Sequence, residues 1–174
     1  STQSRSSAAS DVYKRQGWNS YGKRYYQITA IDEYSRKRVC KIVDEKSVTH
    51  TATFLLDIEE RFGFKIDMIQ TDNGTEFTND IFGTTRLSIF EEILESKGIT
   101  YRRTRPYSPW QNGIVERSHR EDSQRFYHRQ FTSEAQLIAS HQRYVSRGNN
   151  IHRKQLNFKS PNEIIKEYFE NKVA

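Results

Sequence analysis

Residues 64–74 read FKIDMIQTDNG, and this stretch decides how the rest of the sequence is interpreted. A short apolar run bounded by turn residues predicts a β-strand, which ends at Asp72. Asn73 and Gly74 follow at once, and this pair allows the backbone to turn sharply. Asp72 either stabilises its own turn or points into a binding cleft, because ligands bind at the carboxyl ends of strands in open α/β sheets.

Periodicity on both sides of this strand predicts a mixed α/β protein. Alternating apolar residues indicate a strand pair in residues 24–44, joined by the turn DEYSR, and a further strand in ITYRRTR at 99–105. Helical spacing of apolar residues, with serine caps, predicts helices over residues 47–62, 86–97, 114–127, 134–147 and 160–169. Strands that pair early and then alternate with helices indicate a mixed β-sheet flanked by helices.

Composition narrows the class of protein. The 174 residues suffice for one domain with its own core, and the net charge of +6 favours a polyanionic partner. Cys40 is the one cysteine, which excludes a disulfide within the chain and a cysteine zinc site and fits a reducing compartment. No apolar run approaches membrane-spanning length and no signal peptide is visible, so we expect a cytoplasmic protein outside the membrane.

The first sixteen residues, STQSRSSAASDVYKRQ, are rich in serine and have no apolar periodicity. This composition is typical of translated adapter or vector sequence, and a natural flexible tail is the alternative. We therefore predict a foreign or disordered tail over residues 1–16 and a folded domain with C-terminal helices over residues 17–174.

A second carboxylate strengthens the metal-site interpretation of Asp72. Glu116 lies one turn into the helix predicted over 114–127, and positions three, four and seven residues later on its face hold His119, Arg120 and Ser123. Glu116 and Arg120 could simply form a surface salt bridge. Alternatively, carboxylates from a strand end and a helix could hold Mg²⁺, with basic residues placed to contact phosphates. The nearby cations are Arg102, Arg103 and Arg105.

Several blocks of sequence resemble one known family. IQTDNGTEFTN and YSPWQNGIVERSHR, with TAIDEYSRKRV before them and LNFKSPNEII after them, resemble the integrase catalytic core of DDE transposases and retroviral-type integrases, with bacterial insertion-sequence transposases as the nearest group. The resemblance covers about residues 23–168. It implies a ribonuclease-H-like fold. It also implies an enzyme of the bacterial cytoplasm that works as a multimer on DNA, where it cuts transposon ends and joins them to target DNA.

The resemblance also implies a site. Family members bind two Mg²⁺ or Mn²⁺ ions through an Asp, Asp, Glu triad, in which Asp72 matches the second Asp and Glu116 the Glu. Gln111, Asn112 and Gly113 match the loop that touches DNA. Together with His119, Arg120 and Arg103, the residues Gln111 and Asn112 are therefore the predicted DNA contacts.

Two departures from the family pattern bear on activity. Forty-three residues separate Asp72 from Glu116, against about thirty-five in many members, although extra loop length costs little. More seriously, the first Asp belongs upstream of residue 24. Asp32 matches a second-strand position outside the triad, where we expect it to cap a turn. This leaves Asp11, inside the suspected tail, as the acidic residue available. The chain is then either a metal-dependent transposase core or a DNA-binding fragment that lacks one ligand; a ribonuclease-H-like nuclease outside transposition is a third, weaker interpretation.

Overall fold

The computed structural model describes residues 7–15, 23–72, 74, 77–78, 86–105 and 112–173. Within these residues, five strands and six helices follow one another. The strands are β1 (Ser7–Arg15), β2 (Tyr25–Ile31), β3 (Arg38–Val43), β4 (Met68–Thr71) and β5 (Thr100–Arg103). The helices are α1 (Val48–Leu56), α2 (Ile58–Phe62), α3 (Ile89–Ser96), α4 (Gly113–Arg125), α5 (Glu134–Asn149) and α6 (Pro161–Val173), with a 3-10 turn at Lys154–Leu156 before α6.

The strands form one mixed sheet in the order β3-β2-β1-β4-β5. Strand β1 is antiparallel to β2 and parallel to β4, and β5 is parallel to β4. The central strand is thus formed by residues 7–15, and this corrects the expectation of a disordered tail up to residue 16. The foreign origin of those residues concerns their source and stays a prediction.

One face of the sheet is covered by α1, α2 and α3. Fourteen buried apolar residues form this core, and Phe54, Leu55, Phe62, Ile69, Phe77, Phe90 and Leu94 are among them. Helix α4 packs on β1 and β2, and α5 packs on the edge strand β3. The sheet therefore forms a layer that is packed against helices. No helix in the described part of the chain is long and apolar enough to cross a membrane.

Local signals predicted most element ends correctly. Ser47 caps α1 by accepting a hydrogen bond from the backbone N–H of His50 at 3.2 Å, and Gly63 ends α2 with φ at 80°. The helix predicted over residues 47–62 is broken at Asp57, so that α1 and α2 are separate. Asp32 accepts hydrogen bonds from the backbone and the hydroxyl of Ser35 at 2.8 and 2.5 Å, which confirms its predicted role as a turn cap.

The edge strand β3 is held by a side chain from the end of α5. Asn149 accepts a hydrogen bond from the Arg38 backbone N–H at 2.9 Å and donates one to the Arg38 carbonyl at 2.8 Å. These two bonds satisfy backbone groups that an edge strand otherwise leaves without a strand partner. The neighbouring Asn150 makes its hydrogen bonds at the surface.

We expect Asn149→Ala to lower the free energy of unfolding by about 1–3 kcal/mol, because it removes both bonds at a buried position. Asn150→Ala is the matched control and should cost about 0.5 kcal/mol or less. Urea unfolding of the two variants and the parent chain measures the difference. Equal costs for the two substitutions would show that Asn149 does not hold the edge strand.

Candidate active site

Asp72 follows the last residue of β4 and is held by its neighbours. The backbone N–H of Gly74 donates to Asp72 Oδ1 at 3.0 Å, so the turn predicted at this position is present. The Thr71 hydroxyl donates to the Asp72 carbonyl at 2.8 Å and, having no second proton, accepts from the Tyr101 hydroxyl at 2.8 Å. Burial raises the pKa of Tyr101 to about 12, which keeps it a donor at neutral pH. The backbone that carries the carboxylate is therefore fixed from two sides.

The sheet register places Asp11 beside this point. Ser10 pairs with Thr71 in the parallel ladder, and Asp11 pairs with Thr29 in the antiparallel one. Asp11 is thus the residue after Ser10 in β1, as Asp72 is the residue after Thr71 in β4. The two acidic positions therefore lie beside each other, one on β1 and one directly after β4.

Glu116 lies on α4, the helix that packs on β1 and β2. Val115 is fully buried and packs with Ile31, which fixes the rotation of the helix on β2. Successive residues advance about 100° around a helix. Because Arg117 and Glu121 line a cleft with Arg38 of β3, Glu116 lies on the opposite flank, toward β1.

The described part of the chain contains no ion pair between Glu116 and Arg120. The surface salt bridge between Glu116 and Arg120, which the sequence allowed as an alternative, is therefore absent from the described structure. Glu116 is exposed, which leaves its carboxylate accessible for binding.

The predicted DNA contacts fall into three groups. Arg120 and Arg103 are exposed, and Arg103 pairs in register with Thr71, so it lies at the same end of the sheet as Asp72. His119 is buried, with Nε2 3.3 Å from the Thr29 hydroxyl, which corrects its assignment as a surface DNA contact. Asn112 is also buried, and its Oδ1 has no hydrogen-bond partner among the described residues. Gln111 lies outside the described residues.

A buried polar network that the sequence did not reveal fastens α4 to the sheet. Asp122, which is 1% exposed, accepts from the Arg38 guanidinium at 2.8 Å and from the Gln27 amide at 2.9 Å. Arg38 also lies over the ring of Tyr144, 5.6 Å from its centre. A buried carboxylate requires such partners, since an unpaired buried charge is costly.

Gln27 is the centre of this network. Its amide nitrogen donates to Asp122 and, at 2.7 Å, to the Thr29 hydroxyl. Its amide oxygen accepts from the Tyr127 hydroxyl and, at 2.9 Å, from His141 Nε2. Both hydrogens and both lone pairs of the amide are used, which fixes the register of α4 on β2. Glu116 is carried by that helix, six residues before Asp122.

The network also fixes the charge state of two histidines. Burial lowers the pKa of His119 to about 4, with Asp122 opposing and Arg38 reinforcing the shift. The same causes lower the pKa of His141 to about 4. Both rings are therefore neutral at pH 7, and His141 donates from Nε2 to Gln27.

The donors at this site suit a hard divalent cation. Carboxylate oxygens are the ligands that Mg²⁺ and Mn²⁺ prefer, and Asp72 and Glu116 supply them from a fixed strand end and a fixed helix. Among the side chains that the structure describes, no three acidic, histidine or cysteine groups gather around a single metal position. Asp11 is the further acidic position that the register of β1 places beside Asp72.

Comparison with known proteins gives a consistent result. The family described as Integrase core domain matches residues 4–109. The ORF3 protein of Spiroplasma virus SpV1-C74, an integrase by name, is 31% identical over 115 residues, or 62% of this chain and 32% of that protein. The retrovirus-related Pol polyprotein from transposon TNT 1-94 of Nicotiana tabacum is 33% identical over 113 residues, or 64% of this chain and 8% of that protein. The chain spans about a third or less of the length of these relatives.

Solved structures share the fold. The catalytic core domain of BIV integrase gives a TM-score of 0.66 at 21% identity, covering 98% of this chain and 99% of that one. A chain of the simian T-cell lymphotropic virus intasome in complex with PP2A regulatory subunit B56 gamma gives 0.66 at 16% identity, covering 92% and 54%. The HTLV-2 integrase catalytic core domain in complex with magnesium, in a dimeric form, gives 0.51 at 19% identity, covering 68% and 67%. The ribonuclease-H-like fold expected from the sequence is thereby confirmed.

We expect Asp122→Ala to lower the free energy of unfolding by about 3–5 kcal/mol, because it leaves the buried Arg38 without its counter-charge. Glu121→Ala on the same helix is the control. It removes the surface pair with Arg125 and should cost about 1 kcal/mol or less. Urea unfolding at pH 7 distinguishes the two, and similar costs would mean that the buried network does not fasten α4.

We expect stability to fall between pH 6.5 and pH 4. In this range the unfolded chain protonates its histidines, while His119 and His141 stay neutral in the fold because their pKa values are lowered to about 4. Each should contribute a loss of about 2 kcal/mol between pH 7 and pH 5. In His141→Gln that loss should shrink by about this amount, whereas the exposed His128→Gln should retain it. Urea unfolding at both pH values provides the test, and an unchanged loss in His141→Gln would contradict it.

Proposed function

The chain belongs to the integrase core domain family, and from this premise we propose that it is the catalytic core of a DNA transposase or integrase. Its reaction is phosphoryl transfer: hydrolytic cleavage frees a 3′-hydroxyl at the end of a DNA element, and this hydroxyl then attacks a phosphodiester of target DNA. The enzyme class is that of a DDE-type polynucleotidyl transferase. We expect the chain to act on DNA in the same way as the bacterial insertion-sequence transposases.

The observation that supports this function best is the position of Asp11 beside Asp72 at one end of the sheet. Asp72 ends β4, Asp11 lies beside it in the register of β1, and Glu116 lies on the flank of α4 that is directed toward β1. Three carboxylates brought together from these positions would meet the ligand requirement of a two-metal phosphoryl transfer site. Arg103 and Arg120 lie exposed around these positions, where they can contact phosphates.

We propose Mg²⁺ or Mn²⁺ as cofactor, in two ions. When bound, such ions activate the attacking oxygen and stabilise the leaving one. The part of the protein is to hold the carboxylates still. The Gly74 N–H and the Thr71 hydroxyl fix Asp72, and the Asp122 network fixes the helix that carries Glu116.

A catalytically incomplete DNA-binding fragment is the second candidate. It is favoured by one observation, namely that Asp11 lies in the serine-rich segment whose sequence is typical of adapter-derived residues. If Asp11 holds no metal, the same fold retains the basic surface but lacks one ligand. Metal binding by Asp11 therefore separates the two candidates.

The proposed partners are the ends of a mobile element, target DNA and further copies of the chain. Joining two DNA ends to one target requires two active sites, which motivates a homo-oligomer on DNA. The solved relatives include an intasome and a dimeric catalytic core. We propose that this activity takes place in the bacterial cytoplasm, which contains the DNA substrates.

We expect Asp72→Asn and Glu116→Gln each to reduce Mg²⁺-dependent nicking of supercoiled plasmid to background, because each removes an anionic metal ligand. Asp67→Asn is the matched control, since Asp67 is exposed just before β4, away from the carboxyl end that carries Asp72. Gel electrophoresis measures the nicking, and fluorescence anisotropy measures DNA binding alongside it. DNA binding should stay near that of the parent chain. Equal losses of binding and nicking would count against the metal-ligand role.

A further inference from the structure

A basic groove of about 710 Å³ lies between α4, α5 and the 3-10 turn at Lys154–Leu156. Eight of the residues that line it are arginine or lysine, and one, Glu121, is acidic. Glu121 pairs with Arg125, and Arg38 pairs with the buried Asp122. The remaining cations are therefore not neutralised from within the groove.

Five of these cations are exposed. Within the described part of the chain they form no ion pair with a carboxylate: Arg117, Arg120, Arg129, Arg147 and Lys154. They come from two helices and a turn, so the folded chain, rather than a single run of sequence, brings them together. Like charges held side by side repel one another, and a polyanion in the groove removes that repulsion.

A smaller cleft of about 270 Å³ continues the groove toward β2 and β3. It shares Arg117, Glu121 and Arg153 with the groove and adds Arg36. Arg36 Nη1 is buried and has no hydrogen-bond partner among the described residues. A buried donor without an acceptor is costly, and rotation of the Arg36 guanidinium into the cleft that it lines would let an anion oxygen accept from it.

Arg153 points to the same ligand. It is half-buried, and its guanidinium donates to the Gly148 carbonyl at 3.2 Å. Burial lowers the pKa of Arg153, with Glu121 opposing and Arg38 and Arg36 reinforcing the shift. The cleft therefore has a positive potential that a phosphate would relieve.

Among the described residues, the groove offers contacts to phosphates and no free aromatic platform for bases. Tyr144 is the aromatic residue that lines it, and Phe126 stacks on its ring at 5.0 Å between ring centres. The Arg38 guanidinium lies over the same ring at 5.6 Å. With its ring already in contact with two groups, Tyr144 cannot serve as the stacking surface that single-strand binding uses.

We propose that the groove and cleft form a second DNA-binding surface, which holds the phosphodiester backbone of a duplex with one phosphate in the cleft against Arg36 and Arg153. The proposal rests on the proposed function for the identity of the polyanion as DNA. Glu116 and this surface lie on opposite flanks of α4. A duplex held here crosses the exposed side of α4 near Arg120 and continues to the acidic site, so the groove holds the DNA beyond the bond that reacts.

The test measures binding of a labelled duplex of arbitrary sequence by fluorescence anisotropy over a series of KCl concentrations. EDTA is present throughout, so that metal-dependent chemistry plays no part. Two variants probe the surface, Arg36→Asn in the cleft and Arg147→Ala in the groove. Asn is chosen at residue 36 because φ there is 63°, a conformation that Asn tolerates. Lys166→Ala on α6 is the control, since it removes the same charge from an exposed residue paired with Glu170.

The surface variants should each bind more weakly and make the slope of log K against log salt shallower by about 0.9 for each phosphate that the protein no longer neutralises. Lys166→Ala should leave the slope unchanged. Arg36→Asn should unfold at the same or a higher temperature than the parent chain, because it removes a buried unsatisfied donor. Slopes for Arg36→Asn and Arg147→Ala equal to that of Lys166→Ala would overturn the proposal, as would tighter binding of a single strand than of the duplex.

The two experiments distinguish failure of the proposed function from failure of the proposed DNA-binding surface. Nicking that depends on Asp72, with unchanged slopes in the groove variants, would retain the function and remove the second surface. Shallower slopes without any nicking by the parent chain would retain the surface and remove the catalytic function.

Discussion

The position of β1 between β2 and β4 is the constraint on which the rest of the structure depends. Its antiparallel ladder with β2 and its parallel ladder with β4 together set which residue lies beside the end of β4. A slip of one residue in either ladder would exchange the two faces of the strand. With the observed register, Asp11 lies level with Asp72, so the proposed site lies on neighbouring strands rather than on loops alone.

A second constraint lies under α4. This helix is polar for its length, and apolar contacts at Val115 and Phe126 do not by themselves determine where it lies along β2. The pairing of Asp122 with Arg38 and the fully used amide of Gln27 determine it instead. One side of the helix is therefore buried against the sheet, while Glu116 and the cations on the other sides remain available to ligands.

Much of this could be predicted from local sequence. The Asn73-Gly74 pair after an apolar run predicted the end of β4, and helical spacing predicted the helix that carries Glu116. Strand β1 could not be predicted, because a serine-rich segment without alternation gives no strand signal and owes its place to the strands on either side. The long helix predicted at 47–62 was wrong at Asp57, where the apolar spacing continues although the helix is interrupted.

The buried network was hidden for a related reason. Gln27 and Thr29 look like the solvent-facing residues of a half-buried strand, yet α4 covers them, and the ring of His119 is turned under the helix toward Thr29. Burial by a segment that is distant in sequence depends on the tertiary structure, and it cannot be inferred from helical or strand periodicity.

Calorimetric titration with Mn²⁺ of the parent chain, Asp11→Asn, Asp72→Asn and the control Asp67→Asn tests the account most directly. If three acidic positions form one metal site, the parent and the control bind Mn²⁺, and the heat of binding is lost in both Asp11→Asn and Asp72→Asn. Binding by Asp11→Asn that equals the parent chain would contradict the account. The ladder position of Asp11 would then be structural, and the chain would be a core that lacks its first ligand.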